Sequence, residues 1–267
     1  MLSMQTSVLE KNECVKSTAL ECGCCSRHTD PLVYAPCMAN APSVRARVRA
    51  ELIDEIKAAA RQRLTTEGPS ALSLRAVARD VGMVSSAVYR YFPSRDELLT
   101  ALIIDAYNTL GEQVEAAEAV VKRTDFRGRW MATAHAIRRW AVENEHEYGL
   151  VFGTPIPRYS APADTIGPAT RATNVLIQIV REALAAGAWK GSKEPVPRAV
   201  HADLAVAREF FGARVDDDIV VRSLMAWTHI YGAIRFELFG HRVGSVSNHE
   251  AFFDLEMRRI ATFVGLV

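Results

Sequence analysis

The chain has 267 residues, of which 49% are hydrophobic and 24% are charged, and its formal net charge is +1. This length allows one or two domains, and the apolar content suffices for a buried core. The near-neutral charge excludes a general polycation, so a nucleic-acid surface would have to be a local patch. No run approaches the roughly eighteen apolar residues of a membrane-spanning helix, so we expect a cytoplasmic protein with no membrane partner.

The first 43 residues are unusual because they hold every cysteine of the chain. These are Cys14, Cys22, Cys24, Cys25 and Cys37. Together with His28 they could form a thiolate metal site or a redox sensor. The C-G-C-C spacing, however, lacks the paired C-x-x-C pattern of zinc sites, and the tract has neither a hydrophobic period nor the features of a signal peptide. We therefore favour a disordered or misannotated extension over residues 1–43, with Met38 as a candidate start, and we expect no cofactor and no metal.

The first predicted helix runs from Arg45 to Thr66. Its apolar stripe, which we expect to be buried, consists of Val48, Leu52, Ile53, Ile56, Ala60 and Leu64. Arg45, Arg47 and Arg49 crowd the N-terminal end, where cations oppose the helix dipole. A DNA phosphate nearby would offset that cost, whereas the alternative is a basic end that is simply solvated.

Two short helices joined by a tight turn are predicted for residues 74–91, which is the pattern of a helix-turn-helix. The first helix has Ser73 as its N-cap and ends at Gly82, which can adopt the positive φ of a sharp turn. Ser85 is the predicted N-cap of the second helix, and its predicted inward positions include Val84. The polar side chains left on the outer rim can donate hydrogen bonds to phosphates and base edges in a major groove.

With its flanks, this segment resembles the DNA-binding domain of TetR-family transcriptional regulators over residues 44–101. The matching residues are Gly68, Leu72, Ser73, Val77, Ala78, Gly82, Ser85, Tyr89, Tyr91, Phe92, Pro93, Ser94, Leu98 and Leu99. The family commonly has His in place of Tyr91 and Lys in place of Arg95, and both exchanges keep a polar or cationic group at the DNA. The resemblance implies a three-helix domain that inserts the second helix of the pair into the major groove.

The candidate DNA-binding residues combine the outer rim with the positions that the resemblance implies. They are Arg45, Ser73, Arg75, Ser85, Ser86, Ala87, Tyr89, Arg90, Tyr91 and Arg95. The resemblance implies phosphate contacts by Ser73, Tyr89 and Arg95, which set register and carry no sequence information. Base preference is expected from the two adjacent serines of the rim and from Arg90, with Ala87 against a thymine methyl group. A phosphate contact is the alternative role for Arg90.

The rest of the chain, residues 102–267, has helical periodicity without a persistent strand pattern, and we predict a helical effector-binding and dimerisation domain. A long helix from Arg95 to about Val121, which Ser94 can cap, would link this domain to the DNA-binding one. The proline-containing, aromatic connection between Gly153 and Pro168 is typical of a binding loop. Apolar residues at helical spacing suit the protein core first and a ligand wall second. The candidate pocket residues are Trp130, Ala134, Ile137, Tyr148, Phe152, Tyr159, Trp227, His229 and Tyr231.

The run W-T-H-I-Y-G at residues 227–232, together with F-G-T-P-I-P at residues 152–157, resembles the WHG-type C-terminal domain of some TetR-family regulators. This resemblance implies an all-helical dimerisation domain, in which Gly232 would let helices approach closely. The candidate interface residues are Ile234, Leu238, Phe252 and Leu255, which suit the core of a single chain equally well. Two recognition helices about 34–36 Å apart would read a palindrome.

Catalytic motifs are missing from the sequence, which has no H-E-x-x-H, no G-x-S-x-G and no glycine-rich phosphate loop. His229 is a lone histidine on an apolar helix, a setting typical of a core or pocket residue. We therefore expect an all-α, non-enzymatic repressor whose homodimer binds a palindromic, double-stranded DNA operator. A small, apolar effector would bind the C-terminal domain and release the operator. The alternative is a metal- or redox-responsive regulator that senses through the cysteine tract.

A chain that begins at Met38 should bind its operator as tightly as the full-length chain. The reason is that the tract before Met38 has no periodic apolar face with which to pack against the rest of the protein. Gel-shift titrations of both chains measure this directly. A large loss of affinity in the shorter chain, or a response to zinc or oxidant in the longer chain alone, would restore a role for the cysteines.

Overall fold

The computed structural model describes residues 43–212 and 215–267, and within these ranges the predicted all-α fold is confirmed, with no strand. The cysteine tract, His28 and the candidate start at Met38 lie outside the described residues. Val44–Val267 forms one compact unit. No helix in the described part combines the length and apolarity needed to cross a membrane.

Eleven α-helices follow one another in the described ranges. They are α1 (Val44–Glu67), α2 (Leu74–Asp80), α3 (Ser85–Val88), α4 (Arg95–Ala119), α5 (Phe126–Glu143), α6 (Glu145–Phe152), α7 (Ile166–Ala185), α8 (Arg198–His201), α9 (Ala205–Phe211), α10 (Asp217–Leu238) and α11 (His249–Val264). Short 3-10 helices lie at Pro69–Ala71 and Ala163–Thr165.

The N-terminal apolar cluster gathers the inward faces of α1 to α4. Ile56 of α1, Val77 of α2, Val88 of α3 and Leu98 of α4 have no exposed surface. The predicted stripe of α1 is wrong at its first member, because Val48 is 47% exposed. Residues 44–50 are all exposed, so the first two turns of α1 project beyond the cluster and Val48 has no neighbouring core to join.

The turn between α2 and α3 forms as the sequence predicts up to Gly82. Gly82 has a φ of +66°, and the amide of Met83 donates to the carbonyl of Ala78 at 2.8 Å. The N-cap of α3, however, is Val84 rather than Ser85. Val84 is 71% exposed, so its predicted inward position is also wrong. The helix begins one residue early, and this turns Val84 away from the core while Val88 remains fully buried.

The second apolar cluster lies among α4, α5, α7, α10 and α11. Its fully buried side chains include Trp140, Ile179, Ile230 and Phe253. The 25-residue α4 belongs to both clusters. Its start is fixed by Ser94, whose hydroxyl accepts a hydrogen bond from the amide of Glu97 at 3.1 Å, as the sequence predicts.

Helix α6 and the chain after it also take part in both clusters. Leu150 and Ile156 are buried in the N-terminal cluster, while Val151 and Phe152 pack against both. Arg61 of α1 pairs with Glu147 of α6 at 2.9 Å. The two clusters are therefore joined through α6 as well as through α4, and the predicted domain division at residue 101 stays a prediction.

A buried ion network ties α4, α5 and α7 together around Arg129, which has no exposed side-chain surface. Its guanidinium donates to Glu118 of α4 and, at 2.6 Å, to Glu182 of α7. It also donates to the carbonyl of Arg123 at 3.1 Å, and Arg123 itself pairs with Glu182 at 2.9 Å. Because Glu118 is also almost entirely buried, the pairing compensates two charges that have lost their water.

Candidate nucleic-acid interface

The exposed side of α3 and the turn after it is polar. Ser86, Tyr89 and Arg90 are exposed, and Tyr89 retains 43% of its surface. Ser85 and Ala87 are half-buried. The four-residue α3 is held against the protein by Val88, so its remaining side chains are free to meet another molecule. A short helix with a buried anchor and a polar outer side is the arrangement that major-groove reading requires.

The basic end of α1 lies beside this rim. The guanidinium of Arg49 stacks over the ring of Tyr91, with 5.0 Å between its central carbon and the ring centroid. Arg45 and Arg47 are exposed on the same projecting turns. The projection of α1 beyond its core, which exposes Val48, also carries these arginines outwards.

The start of α2 adds two further polar groups. Ser73 is the N-cap residue, but its side chain accepts no capping hydrogen bond, so the hydroxyl is available to a phosphate. Arg75 is exposed on the first turn of the helix. Within residues 43–212 and 215–267, the guanidinium groups of Arg45, Arg75 and Arg90 have no carboxylate partner. Their charge is therefore uncompensated, as a local DNA-binding patch requires.

Charges elsewhere on α1 and α2 are compensated internally. Arg63 holds Asp80 with its Nη2 at 2.9 Å and Glu67 with its Nη1 at 2.6 Å. The hydrogen bond from Arg63 lowers the pKa of Asp80, which keeps this carboxylate ionised. The contrast with Arg45, Arg75 and Arg90 shows where positive charge remains available.

Arg95 makes hydrogen bonds within the protein, and the phosphate contact that the family resemblance implies for it stays a prediction. Its Nη2 donates to the carbonyl of Pro69 at 2.8 Å, and its Nη1 lies 3.3 Å from Asp96. The side chain thus fastens the 3-10 turn after α1 to the start of α4. Most of its donors are used inside the protein, so it contributes less to an exposed patch than Arg90.

Three of the candidate pocket residues, Trp130, Ala134 and Ile137, lie in the core with at most 2% exposure. The indole of Trp130 donates to the carbonyl of Met257 at 3.3 Å. These side chains fill the space between helices. None of the nine candidates lines the cavity of about 800 Å³ that lies between α7, α9 and the start of α10. For this stripe the core interpretation holds in the structure.

The aromatic candidates pack against one another instead of lining an open site. Phe152 lies between Tyr148 and Tyr231, with ring centroids 5.1 and 4.4 Å away, and Trp227 continues the row 5.6 Å from Tyr231. The hydroxyl of Tyr148 donates to the carbonyl of Tyr231 at 2.7 Å, and burial raises the pKa of Tyr148. The hydroxyl of Tyr159 lies 2.9 Å from that of Thr100 on α4.

His229 is on the protein surface with a 38% exposed side chain. Its Nε2 lies 3.4 Å from Glu256 of α11, which Arg242 also holds through two hydrogen bonds of 2.8 and 2.9 Å. It is therefore part of a contact between α10 and α11, and it does not enter the core.

A cavity of about 800 Å³ lies between α7, α9 and the start of α10. Its lining is mixed, with Ile177, Leu184, Trp189, Phe210 and Ile219 as apolar members and Asn174, Gln178, Arg181, Glu182, Lys193 and Asp216 as polar ones. Sequence reasoning missed this site, because the polar positions of α7 are indistinguishable by pattern from a solvated helix face. The sequence offers one signal, the aromatic residue Phe210 on a short helix. The structure leaves this side chain 40% exposed.

The candidate interface residues divide into two groups. Ile234 is fully buried in its own chain and Leu238 packs against the same core, so the prediction is wrong for Ile234 as an exposed contact. Phe252 and Leu255 of α11 are 37% and 44% exposed. The exposed apolar residues of α10 are Leu224, Met225, Trp227 and Phe236. The sequence analysis named only Trp227 among them, and as a pocket residue.

Gly232 lies among these exposed residues of α10. A Cβ placed at Gly232 would have no neighbour within 4 Å. Met225 lies seven residues before Gly232, and Phe236 lies four residues after it. This spacing places both on the same side of the helix as Gly232. Exposed apolar side chains around a residue with no side chain suit close packing against another helix.

Comparisons with known proteins agree with this geometry. Residues 56–102 match the family described as bacterial regulatory proteins of the tetR family, and residues 130–260 match the tetracyclin repressor-like C-terminal domain. The chain is 36% identical over 207 residues to the HTH-type transcriptional regulator Rv1816 of Mycobacterium tuberculosis, covering 77% of this chain and 88% of that protein. A crystal structure of the regulatory protein SCO4313 is 34% identical with a TM-score of 0.67, covering 83% of this chain and all of that one. The fold is shared with the TetR-family transcriptional regulator PfmR of Thermus thermophilus. That structure is 19% identical with a TM-score of 0.53, covering 77% of this chain and 96% of that one.

Proposed function

The chain belongs to the TetR family of transcriptional regulators, and we propose that it is a repressor whose homodimer binds a palindromic operator until a small effector releases it. Its relatives are DNA-binding regulators rather than enzymes. A protein of this kind acts in the cytoplasm, where its operator is. The observation that carries the proposal is the uncompensated charge around α3.

DNA binding at this surface is supported by the combination of three elements. The rim of α3 supplies Ser86, Tyr89 and Arg90, the projecting end of α1 supplies Arg45, and α2 supplies Arg75. A phosphate backbone would neutralise the three unpaired guanidinium groups and hold α3 at the base edges. Arg95 acts indirectly, since it fixes the turn that leads into this surface.

Dimerisation is supported by the exposed face of α10 and α11. Met225, Phe236, Phe252 and Leu255 leave apolar surface uncovered at the end of the chain that is remote in sequence from the recognition helix. A twofold pair formed through this face would present two copies of α3 to one side of a duplex.

The effector is proposed to bind the cavity between α7, α9 and α10. Its volume of about 800 Å³ suits a small molecule, and its lining offers an apolar wall for the body of the ligand. A ligand here would act on α7, which Arg171 fastens to Glu115 of α4 with hydrogen bonds of 2.9 and 2.7 Å. Because α4 also packs in the N-terminal cluster, a shift of α7 would change the position of α3 relative to the DNA. A differential affinity of about 2–3 kcal/mol would weaken operator binding about a hundredfold.

Selection of bound sequences from random DNA with the full-length protein tests the proposal. We expect an enriched inverted repeat whose half-site centres are separated by about one helical turn, with two chains bound per duplex. Enrichment of a single half-site only, or of no sequence at low salt, would contradict it. Effectors can then be sought by their ability to release the selected duplex.

Replacing Arg90 by Ala should relax base preference at one position of each half-site. The guanidinium fork can donate to both the O6 and the N7 of guanine, which is worth about 1–3 kcal/mol of discrimination. Competition titrations with every base at each operator position measure the change, and Arg90→Lys serves as the control that keeps the charge without the fork. Equal weakening on all sequences would show that Arg90 only clamps a phosphate.

A further inference from the structure

Val84 is an apolar side chain without an internal role in the helix-turn-helix. It is 71% exposed, which is more than any other large hydrophobic residue between Gly68 and Ala101. Every other valine of α2 and α3 is buried. The exposure of Val84 is therefore a feature of this one position and not of a loosely packed region.

The backbone at Val84 is already that of an N-cap. Its φ of −68° and ψ of 140° are extended, and its carbonyl accepts the first hydrogen bond of α3 from the amide of Ala87 at 2.9 Å. A Ser, Thr, Asp or Asn here would also accept a hydrogen bond through its side chain, which valine cannot do. Val84 thus contributes neither a cap nor core packing to the free protein, although a capping residue at this place would stabilise the helix.

The position of Val84 suits contact with a base. In a helix-turn-helix, the residues at the start of the recognition helix contact base edges in the major groove. Among the bases, thymine presents a methyl group there, and an apolar side chain recognises it. The next two residues, Ser85 and Ser86, are polar, and Ala87 is half-buried with a side chain that lacks both γ-methyl groups of valine.

We propose that Val84 packs against a thymine methyl group in each operator half-site and sets base preference at that position. This rests on the proposed function, in which α3 is the recognition helix. It also moves the methyl contact expected of Ala87 to a residue that extends further from the helix.

The test is a comparison of thymine with uracil, which lacks only the 5-methyl group and keeps the same pairing edge. After selection of the operator, each thymine of a half-site is replaced in turn by uracil, symmetrically in both half-sites. The full-length protein should lose about fourfold in affinity per half-site at one position, or about fifteenfold for the symmetric operator, as burial of one methyl group predicts. Val84→Ser should bind thymine and uracil operators equally well at that position.

A stability measurement separates this effect from misfolding. Because serine can cap α3, Val84→Ser should melt at a higher temperature than the wild-type protein while losing methyl discrimination. Val84→Ala, which removes the two γ-methyl groups without adding a cap, should weaken the discrimination with no rise in melting temperature.

Three results would overturn the proposal. If the uracil penalty persists unchanged in Val84→Ser, another group such as Ala87 makes the methyl contact. If no thymine of the operator shows a penalty in the wild-type protein, there is no methyl contact. If selection enriches no operator at all, the proposed function itself fails and the role of Val84 fails with it.

Discussion

A Gly232→Leu variant should remain folded as a protomer but should no longer form the proposed dimer. The space around Gly232 is open, because a Cβ placed there has no neighbour within 4 Å. Leucine also favours the interior of a helix by almost 1 kcal/mol over glycine, so the protomer should gain stability rather than lose it. The same side chain would hold a partner helix away from the face that carries Met225 and Phe236.

Loss of the dimer should reduce operator affinity about 10²- to 10⁴-fold, because the second half-site is no longer bound at a high effective concentration. Sedimentation velocity and gel shift on the same preparation measure the two quantities. Ala116→Leu is the matched control, since it adds a larger side chain at an exposed position in the last turn of α4, a helix outside the proposed interface. A Gly232→Leu protein that stays dimeric would place the interface on another face.

An Arg129→Met variant should lose about 2–3 kcal/mol in the free energy of unfolding. Methionine has a similar length but no charge, so the almost entirely buried Glu118 keeps only the half-exposed Arg123 as its partner, at 2.6 Å. The hydrogen bonds to Glu182 and to the carbonyl of Arg123 disappear as well. Equilibrium unfolding in urea measures the loss.

The same substitution at Arg258 provides the control. Arg258 pairs with Asp254 one turn earlier on α11, with an Nε–O distance of 2.6 Å, but its side chain is 57% exposed. Because solvent screens that pair, Arg258→Met should leave the urea midpoint almost unchanged. Equal losses in the two variants would show that burial is not what makes the Arg129 network stabilising.

Sequence reasoning succeeded where the rule is local. Gly82 and Ser94 each act through backbone geometry within a few residues, and the structure has both in the predicted roles. The length of α4 and the absence of strands in the described part follow equally from periodicity. For these features the neighbouring residues contain the whole physical cause.

The reasoning failed where the structure depends on the register of a helix by one residue, or on a partner that is distant in sequence. A shift of one residue in the start of α3 rotated Val84 from the predicted core to the surface. The partners of Arg129 lie 11 and 53 residues away, so no local pattern identifies it as a buried charge. The aromatic residues around Phe152 have the same periodicity in a core as in a ligand wall, and only the packing distinguishes the two.

The participation of Val151 and Phe152 in two apolar clusters has a thermodynamic consequence. Neither cluster can unfold without exposing side chains that also pack in the other. The N-terminal apolar cluster and the second apolar cluster therefore unfold in one cooperative transition. A four-residue helix such as α3 has almost no stability of its own. Its order therefore depends on the whole protein, so a destabilising substitution far from the DNA would lower the temperature at which operator recognition and the fold are lost together.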